Sequence, residues 1–184
     1  TAGMKVVAPS SPADAYGLIR SAVDDPDPVM IVENMPIYWI KGDVPEPGHR
    51  TPIGKAAVVR EGDDATIVSY SRTLRESLGA ADKLSQQGIR AEVIDLRSIQ
   101  PWDREAVLAS VARTGRCLVA HEAVTPFGTG AEIAAVVSRE LFGRLKAPVE
   151  RLGAPFNPVP FAKPLELAHI VDADKIAAAV VRMF

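Results

Sequence analysis

The sequence has few of the features that mark specialised classes of protein. Its single cysteine, Cys117, excludes an internal disulfide and favours a reducing compartment such as the cytoplasm. The longest uninterrupted apolar run, 176–181, is far shorter than the ~20 residues of a membrane-spanning helix. Lysine plus arginine (21) nearly balance aspartate plus glutamate (23), which argues against a nucleic-acid binder. We therefore expect a soluble globular protein with neither a membrane nor a nucleic acid as its partner.

Short β-branched runs alternate with longer amphipathic segments along most of the chain. This alternation predicts an α/β fold, with a mostly parallel sheet and helices on both faces. The expected strands are 5–8, 29–32, 57–59, 66–70, 91–96, 117–120 and 149–152, and the expected helices begin after the caps Ser11, Asp103 and Asp172 and span about 73–87 and 130–142. Because a short turn at 61–64 separates strands 57–59 and 66–70, these two are predicted to form a hairpin or a closely spaced pair.

A change of composition divides the chain. Residues 36–52 are rich in proline and show little periodicity, which is typical of a linker. The 35 residues before it are too few to close a sheet with a core of their own. We expect residues 1–35 to be the end of a second α/β domain, 36–52 to be a linker, and 53–184 to be one complete α/β domain.

His121 and Glu122 form the most polar pair at a predicted strand end. Functional groups of parallel α/β sheets lie just beyond the carboxyl ends of the strands, so His121 is a candidate general acid/base that Glu122 would orient. The alternative, which we favour, is that the pair fixes the next loop or a subunit contact. The other histidines lie far away in sequence, so a zinc site is not expected.

Three other segments each allow two interpretations. Glycines 128 and 130 could admit a phosphate at a helix N-terminus, but they lack the third glycine of a dinucleotide fingerprint, and a tight, closely packed turn is favoured. Cys117 lies in an apolar run, which favours a buried strand thiol over a nucleophile. The proline-rich segment 155–164 is expected to be an extended strap, packed on the domain surface or on a partner.

Asp24, Asp25 and Asp27 form an acidic patch at the predicted end of the first helix. Carboxylates are unfavourable at the negative end of the helix dipole, so a nearby cation would relieve them. Carbonyl groups left free at the helix end could also bind a hard cation such as potassium. A merely solvated turn is an equal alternative.

Nearly the whole chain resembles the beta subunit of thiamine-diphosphate-dependent 2-oxoacid dehydrogenases, a family within the transketolase superfamily. The longest matching motif is Ala91-Glu92-Val93-Ile94-Asp95-Leu96-Arg97-Ser98-Ile99. Further matches, in consistent order, are at 3–10, 14–15, 17–19, 27–29, 33, 52–56, 61–62, 66–70, 101–103, 121–123, 130–134, 158–161 and 164–166. The loop 125–130 departs from the more glycine-rich loop of the family.

The resemblance implies how the chain is organised and what the complete enzyme does. Residues 1–35 would end a pyrimidine-binding domain, and 53–184 would be a transketolase C-terminal domain. The complete enzyme would use thiamine diphosphate and magnesium to decarboxylate pyruvate, a branched-chain 2-oxoacid or a related substrate. In the family, the glutamate that activates the cofactor and the active-site histidine lie upstream of the matched part. The chain alone is therefore predicted to be inactive, as the C-terminal portion of a longer subunit.

The resemblance also implies partners and a potassium site. The expected partners are an alpha subunit and a second beta subunit, in an alpha2beta2 assembly, and a dihydrolipoyl acyltransferase core. Residues 21–28 match a family stretch that holds potassium through backbone carbonyls, which gives the candidates Ala22, Val23, Asp25 and Asp27. Two alternative functions remain open: a non-catalytic assembly module, and a split transketolase or deoxyxylulose-phosphate-synthase relative that acts on sugar phosphates.

Overall fold

The computed structural model describes residues 2–184 as a series of strands and helices in alternation, as predicted. The strands are β1 (Lys5–Val7), β2 (Val29–Ile31), β3 (Ala57–Arg60), β4 (Ala65–Ser69), β5 (Ala91–Asp95), β6 (Ser98–Gln100), β7 (Cys117–Val124) and β8 (Glu150–Ala154). The helices are α1 (Pro12–Asp24), α2 (Ser71–Ser85), α3 (Arg104–Thr114), α4 (Thr129–Glu140), α5 (Lys163–His169) and α6 (Ala173–Val181), with a short 3₁₀ helix at Met35–Ile37. Within these residues, no helix is both long and apolar enough to cross a membrane.

The larger sheet has the strand order β3-β5-β4-β7-β8. Three of the four pairs in this sheet are parallel, namely β5–β4, β4–β7 and β7–β8. The edge strand β3 is antiparallel to β5. The prediction of a mostly parallel sheet is therefore confirmed. The predicted hairpin is wrong, because β5 lies between β3 and β4. Every residue of β4 is buried in the interior of the sheet, where helices cover both faces, whereas β3 leaves Val58 half exposed at the edge.

Helices cover both faces of the larger sheet, also as predicted. Successive residues of a strand point to opposite faces. Ile67 accordingly belongs to the core beneath α2 and α6, and Val68 belongs to the core beneath α3 and α4. Cys117 is fully buried in the second core, where burial raises the pKa of its thiol to about 12. The thiol is therefore a buried strand side chain and not a nucleophile.

The smaller sheet has the order β2-β1-β6 and joins distant parts of the chain. β1 and β2 are parallel, with α1 between them in sequence, while β6 pairs with β1 in the antiparallel direction. β6 was not predicted, and it comes from within the range assigned to the second domain. The five-stranded part of the chain thus lends a strand to the first sheet, in which β2 is an edge strand.

The predicted linker lies packed along α1. The Ser21 hydroxyl donates a hydrogen bond to the buried Thr51 carbonyl at 2.7 Å. Gly17 allows this close approach, since a Cβ atom there would lie 2.7 Å from the Thr51 nitrogen. The end of the predicted linker is therefore packed against α1, while most of residues 36–50 are exposed.

The helix caps follow the sequence closely, but the proline-rich segment does not. The side chains of Ser11, Asp103 and Asp172 each accept a hydrogen bond from the third residue after them, as expected of N-caps. In the segment 155–164, Phe156 is 70% exposed and Phe161 is fully exposed, so these rings are not packed on the domain surface, and packing on a partner stays a prediction. Its end instead begins α5, which the sequence analysis missed.

Candidate functional site

His121 lies inside β7 and not beyond its end, which corrects the sequence-based placement. β7 continues to Val124, and its pairing with β8 is irregular between Ala120 and Val124. Within this irregular stretch the His121 side chain is fully buried. Its Nδ1 lies 3.0 Å from the Ala123 carbonyl, and its Nε2 accepts the backbone N–H of Gly130 at 3.1 Å.

Three glycines make room for the imidazole ring. A Cβ atom at Gly128, Gly130 or Gly153 would come within 2.7–2.9 Å of ring atoms of His121. Real Cβ atoms essentially never approach heavy atoms so closely, so any side chain at these positions would displace the ring. The glycines that could have admitted a phosphate instead enclose a histidine, as the tight-turn interpretation expected.

The hydrogen bonds determine the state of the imidazole. Because Nε2 accepts the Gly130 N–H, the ring proton belongs on Nδ1, where it is donated to Ala123. Burial is the main cause that lowers the pKa of His121. A neutral, enclosed ring with both nitrogens engaged has no route to a substrate. This geometry supports the alternative in which His121 fixes the following loop.

The crevice where α/β sheets of this type bind ligands is filled by the chain's own side chains. From β4 the chain runs to β5 on one side, and from β7 it runs to β8 on the other, so β4 and β7 flank the switch point. His121 occupies this position and caps α4, and Tyr70 stacks on it with ring centroids 6.3 Å apart. No anion is needed at the α4 N-terminus, because the imidazole already accepts one of its free N–H groups.

Glu122 connects the two sheets rather than orienting His121. It is partly exposed and accepts a hydrogen bond from Arg72 at 2.9 Å, near the start of α2. Its other oxygen accepts the side-chain amide of Asn34, just beyond β2. Sequence reasoning missed both partners, which lie 50 and 88 residues away along the chain. No local pattern signals such long-range pairs.

The acidic turn after α1 already has internal cations. The Lys5 ammonium group lies 2.7 and 2.8 Å from the two carboxylate oxygens of Asp25, and 3.1 Å from Asp27. Arg50 pairs with Asp24. The hydrogen bond from Lys5 holds the pKa of Asp25 below its ordinary value. The cation that the sequence analysis expected near these carboxylates is thus supplied, at the side-chain level, by Lys5 and Arg50.

The backbone of the same turn still fits a carbonyl-bound cation. Pro26 has no N–H to donate to the Ala22 carbonyl four residues earlier. The N–H of Asp27 donates to the Asp25 side chain at 2.9 Å and not to the Val23 carbonyl. The last carbonyls of α1 therefore lack their usual donors, which is the donor set that a hard cation such as potassium prefers.

The cofactors that the sequence resemblance implies are thiamine diphosphate and magnesium. Among residues 2–184 there is no cluster of three or more His, Cys, Asp or Glu side chains that could hold a metal ion. The helix N-terminus that could face a diphosphate is blocked by His121 and its glycines.

Comparison with known proteins identifies the fold. Residues 54–176 match the family described as Transketolase, C-terminal domain. The chain belongs to this family. This transketolase C-terminal domain protein is also similar to a solved structure, a split-gene transketolase in an inactive beta4 tetramer. The TM-score is 0.80 at 28% sequence identity, over 98% of this chain and 57% of that one.

Curated relatives of this transketolase C-terminal domain protein are beta subunits of an oxidoreductase and of dehydrogenases. It is 43% identical over 177 residues to the beta subunit of acetoin:2,6-dichlorophenolindophenol oxidoreductase of Cupriavidus necator, covering 96% of this chain and 52% of the relative. It is 41% identical over 180 residues to the 2-oxoisovalerate dehydrogenase beta subunit of Bacillus subtilis, covering 97% and 55%. Other relatives are beta subunits of pyruvate dehydrogenase E1 components. The chain spans about half the length of these relatives, and the resemblance seen in the sequence is confirmed.

Proposed function

We propose that this chain is the C-terminal part of the beta subunit of a thiamine-diphosphate-dependent 2-oxoacid dehydrogenase. In the complete enzyme, thiamine diphosphate with magnesium would supply the carbanion chemistry of decarboxylation. The residues described here would position the end of the pyrimidine-binding unit and serve subunit assembly and docking. The chain alone would not decarboxylate a 2-oxoacid.

One observation carries this proposal: identities of 41–43% extend over 96–97% of the chain to beta subunits that act on acetoin or on 2-oxoisovalerate. The interior of the chain supports it as well. The usual ligand crevice is filled by His121, and the most polar pair serves contacts within the fold. These features suit an assembly lobe whose chemistry lies elsewhere in the complete enzyme.

The surface supports partners. Phe127 is 90% exposed and contacts Phe156 edge-to-face, with ring centroids 6.1 Å apart. Trp39 and Phe161 are also strongly exposed, and large exposed apolar groups mark interaction sites. We infer that an alpha subunit, a second beta subunit and an acyltransferase core cover parts of this surface in an alpha2beta2-based complex. The buried, unpaired Cys117 is compatible with a reducing compartment such as the cytoplasm.

Potassium is part of the proposal at the end of α1. The backbone carbonyls of Ala22, Val23, Asp25 and Asp27 would hold the ion, while the Asp25 carboxylate stays with Lys5. Potassium should raise the melting temperature of the chain more than sodium at equal ionic strength. An equal effect of the two ions would remove potassium from the proposal.

The assembly role can be tested with purified subunits. The full chain is mixed with a matching alpha subunit and with the upstream half of a beta subunit, and the mixture is separated by size. Co-elution of the three is expected. A Phe127→Ser, Phe156→Ser double variant should elute separately while keeping its melting temperature, because both rings are exposed. Separate elution of the unaltered chain would contradict the proposal.

A split transketolase is the second candidate, favoured by the similarity to the split-gene transketolase structure. A sugar-phosphate enzyme would need basic residues near His121 and Gly128. Arg151 lies near this loop, but it donates to the Thr125 carbonyl at 3.2 Å and so is committed to the fold. Ketol transfer between sugar phosphates by the reconstituted mixture, without 2-oxoacid turnover, would decide for this candidate. A purely non-catalytic module would assemble and show neither activity.

A further inference from the structure

A buried acid lies at the joint between the small sheet and the five-stranded sheet. Asp95, the last residue of β5, is 1% exposed. Its Oδ1 accepts the hydroxyl of Ser10 at 3.0 Å and the N–H of Arg97 at 3.1 Å. The Ser10 hydroxyl oxygen in turn accepts the N–H of Ser71 at 2.7 Å. Ser10 follows β1 and Ser71 begins α2, so this chain of hydrogen bonds crosses from one unit to the other.

Backbone strain is concentrated at the same joint. Ser71 and Arg97 have φ angles of 54° and 55°, in the left-handed region that non-glycine residues rarely occupy. Such conformations persist only where the surroundings impose them, and they occur often in elements that switch. The Arg97 carbonyl also accepts the N–H of Ala8 at 2.8 Å, so this strained residue bonds directly to the residue that follows β1 of the small sheet.

The charges around Asp95 do not balance it. The charge of Asp14 on α1 acts on Asp95, and the Arg97 Nη1 atom lies 3.4 Å from Asp14. The Arg97 Nε atom is buried and meets no acceptor among residues 2–184. Burial, followed by the charge of Asp14, raises the pKa of Asp95 to about 7, against the opposing effects of Ser10 and Arg97.

We propose that Asp95 is a proton-linked latch between the two units, closed when its carboxyl group is protonated and loosened when it ionises. A neutral carboxyl group needs no counter-charge at this joint. An ionised one is desolvated and repelled by Asp14, and opening the joint relieves both costs by admitting water. The latch is independent of the proposed catalytic activity.

The direction of the pH effect follows from proton linkage. In the open joint Asp95 has its ordinary value of 3.8, and in the closed joint its pKa is about 7. Opening between these values therefore releases a proton, so the closed joint is favoured fully below the ordinary value and progressively less as pH rises towards 7. Within this window, the opening equilibrium should increase by up to roughly tenfold per pH unit, and it should level off above the window.

Amide hydrogen exchange of the full chain tests the latch. The N–H groups of Ala8, Ser71 and Arg97 report local opening of the joint, and those of Leu118 and Val119 in β7 serve as internal controls. After correction for intrinsic exchange, protection at the joint should fall as pH rises from 5 to 7, with no change in β7. In Asp95→Asn the protection should not depend on pH. A flat profile in the unaltered chain, or the same slope in the variant, would overturn the proposal.

A second measurement covers the case in which Asp95→Asn does not fold. The carboxyl carbon of Asp95 is followed by NMR in the unaltered chain, where a titration midpoint near 7 is expected. Ser10→Ala removes a donor that favours the ionised form, so this variant should titrate at a higher pH. A midpoint near the ordinary value of 3.8 in the unaltered chain would refute the latch.

Discussion

In the five-stranded sheet, every residue of β4 is buried between neighbours on both sides and helices on both faces. In the three-stranded sheet, β2 is an edge strand whose Met30 is 50% exposed, and α1 beside it leaves Val23 79% exposed. The same kinds of segment build both units. The difference is that the five-stranded unit encloses two cores of buried side chains within the described residues, while no residue of β2 is fully buried.

This contrast assigns different tasks to the two units. The five-stranded sheet can fold around its two cores and even fill its own ligand crevice with His121. The three-stranded sheet borrows β6 from the larger unit and is held by long-range contacts such as Glu122 with Asn34. A unit that depends on its neighbours in this way is suited to being completed by further polypeptide, as the proposed beta subunit requires.

The largest difference between the units should appear on truncating apolar side chains. Leu118 in β7 is fully buried, so Leu118→Ala should lower the free energy of unfolding by about 2–5 kcal/mol. Val23→Ala on α1 should change it by no more than about 0.5 kcal/mol, because the side chain is already exposed. Urea denaturation of both variants measures this. Similar losses of unfolding free energy at the two positions would contradict the difference in packing between the two units.

The packing around His121 gives the next largest effect. A Cβ atom in Gly130→Ala would lie 2.7 Å from Nε2 of His121, which should destabilise the chain by about 1–3 kcal/mol. Gly79→Ala, inside α2, is the matched control. Its Cβ atom meets Ala173 at an ordinary 3.4 Å, so it should stabilise the chain by about 0.5–1 kcal/mol. Thermal unfolding separates the two, and a tolerated Gly130→Ala would show that the ring is not tightly enclosed.

The contact between the units should contribute less. Glu122→Gln keeps the shape of the side chain but removes the charge that accepts the hydrogen bond from the Asn34 amide. The carboxylate is partly exposed to water, so the expected loss is below about 1 kcal/mol. A double-mutant cycle with Asn34→Ala measures the coupling between the two units. A coupling energy above about 2 kcal/mol would contradict the weak contact that we expect between the two units.

The smallest effect is expected at the exposed turn after α1. Lys5 lowers the pKa of Asp25 from its ordinary value of 3.8. The contribution of this ion pair to the stability of the folded chain is therefore present above pH 3.8 and is lost as the pH falls below it. After correction for intrinsic exchange, the β1 and β2 amides of the small sheet should therefore lose protection in acid, and Asp25→Asn should abolish that dependence. Unchanged acid sensitivity in the variant would exclude this pair as its cause.

The sequence predicted what depends on local pattern and missed what depends on distant pairing. The caps Ser11, Asp103 and Asp172 were predicted because capping requires a particular residue type at a helix start. β6 was missed because its three residues become a strand only through pairing with β1, far away in the chain. The hairpin was wrong because β5, which follows both strands in the chain, pairs with each of them and lies between them.

The candidate site shows the same limit. The strand-end pattern drew attention to His121 and Glu122, but their partners Gly130, Arg72 and Asn34 come from three other segments. Whether a histidine acts on a substrate or caps a helix is decided by those partners. Likewise, Asp95 ends an ordinary apolar strand in the sequence, and only the fold shows that Ser10 and Asp14 surround it.

A 2-oxoacid turnover assay tests the central claim most directly, namely that this chain holds the assembly lobe and that the chemistry needs further polypeptide. The full chain is assayed with pyruvate or a branched-chain 2-oxoacid, thiamine diphosphate, magnesium and an artificial electron acceptor. The assay is then repeated after addition of the alpha subunit and the upstream half of the beta subunit. We predict no turnover by the chain alone and turnover in the complete mixture. Turnover by the chain alone would contradict the account.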